Sequence, residues 1–107
     1  MYEYQLTVGL FDKDTESQLI PTESGKSIVS DILINRFGVF AFTIIDAAGV
    51  YRMASTGRIV REPSIRVEIV TDEAMPELPA ILAAIKQALN QESVMVKVTE
   101  SADVRFM

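Results

Sequence analysis

The order in which hydrophobic periodicity changes along the chain constrains its fold more than any other feature. Residues 2–11 alternate, with Tyr2, Tyr4, Leu6, Val8 and Leu10 on one side and Glu3, Gln5, Thr7 and Gly9 on the other, the mark of a half-buried strand. A polar loop from Asp12 to Gln18 leads to Pro21, and Thr22, Glu23 and Ser24 offer cap chemistry for a helix. Ile28, Val29, Ile32, Leu33 and Phe37 then recur at helical spacing up to Gly38, which is placed to end the helix. Gly25 in the first turn costs about 1 kcal/mol of helix propensity and points to a later start. Val39 to Asp46 is apolar or small on both faces, which predicts a strand covered on both sides. Ala47-Ala48-Gly49 reads as a turn, Val50 to Met53 as extended chain, and Ser55-Thr56-Gly57 as a second turn.

The rest of the chain repeats this order. Ile65, Val67 and Ile69 alternate with Ser64, Arg66 and Glu68, giving another half-buried strand. Two prolines between Asp72 and Pro79 suit the first turn of a helix, whose N–H groups are unpaired in any case. Leu78, Ile81, Leu82, Ile85 and Leu89 form its apolar stripe, Val94, Val96 and Val98 alternate with Met95, Lys97 and Thr99, and residues 100–107 form a tail. The succession β-α-β-β-α-β predicts a single α+β domain over residues 1–107 with a ferredoxin-like arrangement. Its sheet has four antiparallel strands, both helices lie on one face, and an elaborated hairpin joins the second and third strands. The open face would then show Gln5, Thr7, Arg66, Glu68, Lys97 and Thr99. Two helices cover only one side of the doubly apolar second strand. The sequence therefore predicts a homo-oligomer, a dimer or larger, built through the open face or an edge strand.

Composition narrows the chemistry. The 107 residues are 49% hydrophobic, enough for one core, and include no Cys, His or Trp. Without Cys there are no disulfides, thiolate sites or cysteine nucleophiles; without His, the commonest general base and metal ligand is missing. A net charge of −5 and a pI near 4.6 argue against nonspecific nucleic-acid binding, which rests on phosphate neutralisation. The uncharged run around Phe37 to Ile45 is far shorter than the roughly 20 apolar residues of a membrane span. Met1 to Gln5 has neither the basic start nor the apolar stretch of a secretory signal. The expectation is a soluble cytoplasmic protein with no cofactor, no metal, and neither nucleic acid nor membrane as partner.

Charge is distributed unevenly. Residues 50–66 carry Arg52, Arg58, Arg61 and Arg66 against Glu62 alone, a local +3 that leaves −8 for the remainder. Guanidinium forks beside the Ser55 and Thr56 hydroxyls and turn amides are what a small carboxylate or phosphate ligand needs. The candidate ligand site is therefore Arg52, Ser55, Thr56, Arg58, Arg61 and Glu62, with no residue assigned to catalysis. Proline in Arg61-Glu62-Pro63-Ser64 predicts an edge or a bulge, in which Glu62 is held by backbone donors or by Arg52 or Arg61. Asp12, Asp14 and Glu16 resemble the opening of a calcium loop without its glycine or terminal glutamate, and read as a solvated acidic loop. Tyr2, Tyr4 and Tyr51 could line an apolar pocket, although Tyr2 and Tyr4 share the side expected to pack on the helices.

Gly49-Val50-Tyr51-Arg52 followed by Gly57-Arg58-Ile59-Val60-Arg61-Glu62-Pro63-Ser64 resembles the pattern G-x-[WY]-R, a short gap, then G-x-I-x-R-E-x-S. That pattern belongs to a family of small bacterial proteins catalogued as a domain of unknown function. The resemblance covers residues 39–70, implies one compact α+β domain, and marks Tyr51, Arg52, Arg61, Glu62 and Ser64 as the matching positions. Two functional expectations follow from the residues. The first is a non-enzymatic, oligomeric binding module with the arginine hairpin as its working surface. The alternative is a small cofactor-free enzyme, isomerase- or oxygenase-like, with its pocket between sheet and helices.

Overall fold

The alternating segments become strands because each has an apolar side that only a shared core can remove from water. In the computed structural model, which describes residues 1–107, the elements are β1 (Tyr2–Gly9), α1 (Thr22–Asp31), β2 (Phe42–Arg52), β3 (Ile59–Thr71), α2 (Leu78–Ala88) and β4 (Met95–Thr99). The strands form one antiparallel sheet in the order β2-β3-β1-β4, the ferredoxin-like α+β arrangement. Tyr4, Leu6 and Val8 of β1 and Ile65, Val67 and Ile69 of β3 point into one core with Val29, Ile32 and Leu33 and with Ile81, Ala84, Ile85 and Leu89. No helix is long and apolar enough to cross a membrane.

Both helices start and stop for local reasons. Gly25 does not delay α1, which begins at Thr22, because the missing side chain is used in packing: a Cβ there would lie 3.2 Å from Leu10 Cδ2. Thr22, Glu23 and Ser24 fall inside the first turn, and Pro21 takes the cap position with no side-chain hydrogen bond. The helix widens into a π-helical turn at Ile32–Arg36 and ends at Gly38, whose φ of 66° suits glycine. Pro79 sits in the first turn of α2, as its fixed φ favours.

Three expectations about β2 and β3 need correction. Ala47-Ala48-Gly49 does not turn: these residues pair with Ser64, Pro63 and Glu62 in a ladder running unbroken from Phe42↔Ile69 to Arg52↔Ile59. The reversal comes only at Met53 to Arg58, where Gly57 takes a φ of 72°. Nor is there a bulge at Pro63. Its carbonyl accepts the Leu10 N–H at 3.0 Å, so the donor that proline lacks faces the point where β1 is leaving the sheet. The ladder loses one bond at its end, and no extra residue is needed. Finally, β2 is an edge strand covered on one side only. Phe42 and Ile44 pack against the core, while Ile45 on the other side is 41% exposed.

Tyr4 links the sheet to the segment before α2. Its buried hydroxyl accepts the Met75 N–H at 2.9 Å. Tyr4→Phe keeps the ring but strands that donor, so stability should fall by about 1–3 kcal/mol, read as a lower urea midpoint with unchanged slope.

Candidate functional site

Strand lengths create the site. The β2-β3 ribbon continues past the end of β1, while the 91–95 segment rises into β4 on β1's other side. Between them lies an open cleft of about 980 Å³, floored by Thr7, Gly9 and Phe11. No residue of α1 or α2 lines it. The enzyme-like pocket expected between sheet and helices is not where the large cavity falls, because that space is filled by the core. Of the six candidate residues, Arg52, Ser55, Arg58, Arg61 and Glu62 line the cleft and Thr56 does not. The Thr56 hydroxyl instead accepts the Arg58 N–H at 3.2 Å and shapes the hairpin tip.

Glu62 is the best-placed polar group. Strand parity puts it with Ser64 and Tyr51 on the open side of the ribbon, and Arg52 and Arg61 on the other. Its Oε2 accepts the Phe11 N–H at 3.1 Å. No arginine forms an ion pair with it, so of the two holders expected for Glu62 the backbone donor is the one present. Two glycines give the carboxylate room. A Cβ on Gly9 would lie 2.5 Å from Glu62 Oε1 and 2.8 Å from Cδ and Oε2, and one on Gly49 would lie 3.8 Å from Cγ. In the sequence Gly9 reads only as the polar side of a strand, while Gly49 reads as a turn and as the first glycine of the G-x-[WY]-R pattern. Glycine inside an alternating run is nevertheless a signal of close approach.

Charge in the cleft is balanced in space. Its lining and rim include Arg52, Arg58, Arg61 and Lys13 together with Asp12, Glu16, Glu62 and Glu92, so acids distant in sequence offset the basic hairpin. Arg58 reaches Glu16 at 3.6 Å. The Tyr51 hydroxyl is held above its ordinary value of 10.0, first by partial burial and then by the Glu62 and Glu16 carboxylates, with Arg58 opposing. It stays a protonated donor at neutral pH. Tyr4 and Tyr2 lie elsewhere, stacked with ring centroids 6.4 Å apart. The acidic loop is structural: Asp12 accepts the N–H groups of Asp14 and Thr15, while Asn90 bridges Asp12 and Asp14 at 2.7 and 2.8 Å. The Asn90 bond is the main reason Asp12 titrates below the usual carboxylate range. No three acidic side chains converge as a metal set.

An open-faced α+β sheet with a ligand-sized cleft beyond its shortened central strand defines the class. The chain belongs to the family described as "Protein of unknown function (DUF3574)", whose model matches residues 3–106. No curated protein matches it. Among solved structures it is similar to a phage SAM lyase in complex with S-methyl-5'-thioadenosine, at 23% identity and a TM-score of 0.68 over 92% of this chain and 80% of that one. It also resembles the B. subtilis GlnK-ATP complex, at 12% identity and a TM-score of 0.55 over 92% and 78%. A DUF3240 family protein from Shewanella baltica OS155 matches at 9% identity and a TM-score of 0.54 over 99% and 96%. These likenesses are of fold.

The Gly9–Glu62 contact has a direct test. Gly9→Ala should push the Glu62 carboxylate off the Phe11 N–H and lower stability by about 1 kcal/mol through that lost bond, and in a Glu62→Ala background the same change should cost little. Strictly additive effects in chemical denaturation would mean that the two residues do not touch.

Proposed function

We propose that this protein binds a small adenosine-bearing molecule in the hairpin cleft. The observation that carries this reading is Glu62, a carboxylate fixed by a backbone N–H over a bare glycine at the floor of a cavity of about 980 Å³. That volume is ample for a nucleoside with a charged extension. Two solved proteins of this fold hold adenosine derivatives, S-methyl-5'-thioadenosine and ATP. Ser55 and Arg58 at the hairpin tip would meet the anionic part of the ligand, as a hydroxyl and a bidentate guanidinium group do. One feature favours a catalytic second reading: the Tyr51 phenol is a proton donor close to the Glu62 carboxylate. Thermal shifts with S-methyl-5'-thioadenosine, SAM and ATP test the binding. Ligand at 100 times Kd should add about 2.7 kcal/mol of stability, with the ATP response weakened in Arg58→Ala. Chromatography of the SAM mixture after incubation separates holding from turnover. No shift with any of the three compounds refutes the reading.

The same protein is proposed to be a homo-oligomer, a dimer in its simplest form, joined through the open face. Thr7 and Arg66 pair across β1 and β3 on that face. Ile45 and Met95, 41% and 64% exposed, lie beside them, and a second copy would bring Glu68 carboxylates within reach of Arg66. Sedimentation at micromolar concentration should give a multiple of 11.9 kDa, reverting toward monomer in Arg66→Glu. A wild-type monomer refutes it.

A further inference from the structure

The hairpin ribbon sorts charge by parity, and this gives the cleft a negative pole. Tyr51 pairs with Val60 and Gly49 with Glu62, so Tyr51 and Glu62 are diagonal neighbours on one side of the ribbon. Arg52 and Arg61 project from the other. On the first side nothing basic neutralises Glu62. Its partner is the Phe11 N–H, Oε1 accepts no hydrogen bond from the protein, and Arg58 is drawn toward Glu16. An anion seated here would meet two carboxylates.

We propose that the ligand carries a positively charged organic group, an amine or other onium centre, seated against the Glu62 carboxylate and the Tyr51 ring. This rests on the reading of the cleft as a ligand site and adds the charge of the group held at its floor. A carboxylate with a free oxygen supplies a charge-assisted hydrogen bond, and an aromatic face supplies a cation–π contact. A metal ion would need several converging oxygen ligands. Glu16 is engaged by Arg58, and no set of three acids gathers here.

Calorimetric titration with three adenosine bodies tests the proposal: 5'-amino-5'-deoxyadenosine, S-methyl-5'-thioadenosine and ATP, at one pH and ionic strength. The cationic compound should bind about tenfold more tightly than the neutral one, the scale of one charge-assisted hydrogen bond. Glu62→Gln should erase that preference by weakening the cationic compound about tenfold, with a smaller loss for the neutral one. Tyr51→Leu, at a half-exposed position that leaves the backbone contact of Glu62 in place, should reduce the preference independently. Equal affinities for cationic and neutral compounds in the unmodified protein overturn the proposal. So does an equal loss for both in Glu62→Gln, which would leave the cleft a binding site without a cation pocket. If none of the three binds, the reading of the cleft falls and this inference falls with it.

Discussion

Thirteen residues of β3 stand beside eight of β1, and this mismatch governs the rest of the molecule. Where the two run together, the even residues of β1 and the odd residues of β3 share a core with both helices. Where β1 stops, the β2-β3 ribbon goes on with no strand beside it. Pro63 marks the changeover. Its carbonyl takes the last ladder bond from Leu10, and the next backbone donor, the Phe11 N–H, goes to a side chain. The cleft is thus an unfilled strand position, and the Glu62 carboxylate reaches into it to accept the Phe11 N–H.

The balance of charge around the cleft follows from the same layout. The hairpin contributes arginines, while the segment after β1 and the segment before β4 contribute acids. Elements separated by up to eighty residues meet because β1 lies between β3 and β4 in the sheet. The Asn90 bridge to Asp12 and Asp14 and the bond from Gln91 Nε2 to the Phe11 carbonyl at 2.7 Å clamp the two acidic segments together. One wall of the site is therefore positioned by side-chain amides, the other by a β-ladder.

Much of this was legible in the residues. The core sides of β1 and β3, the stripe of α2 and the end of α1 at Gly38 followed from periodicity and turn chemistry, since each depends on neighbours in sequence. The errors came where tertiary partners decide. Ala47-Ala48-Gly49 has the composition of a turn, yet it stays extended because Gly49 faces Glu62 and Ser64 across the ladder. Pro63 suggested a bulge because nothing local shows that β1 leaves the sheet beside it. The arginine-rich hairpin was visible as an excess of charge; the acids that offset it were not, because Glu16 and Glu92 reach the cleft only through the fold. Glu62 stands out in the sequence beside Pro63, but the residue that makes its position possible, Gly9, lies fifty-three positions away.

Gly9 also bears on how the sheet finds its alignment. A one-residue slip of β1 along β3 would turn Tyr4, Leu6 and Val8 toward water and is rejected by hydrophobicity alone. A two-residue slip keeps every apolar side chain on the core face, so burial distinguishes it poorly from the native pairing. It would, however, bring Thr7 or Phe11, each with a Cβ, to the place where Gly9 leaves under 3 Å for the Glu62 carboxylate. A single absent methyl group thereby favours the native alignment, because in the slipped one the Glu62 carboxylate would have to leave its place beside the Phe11 N–H.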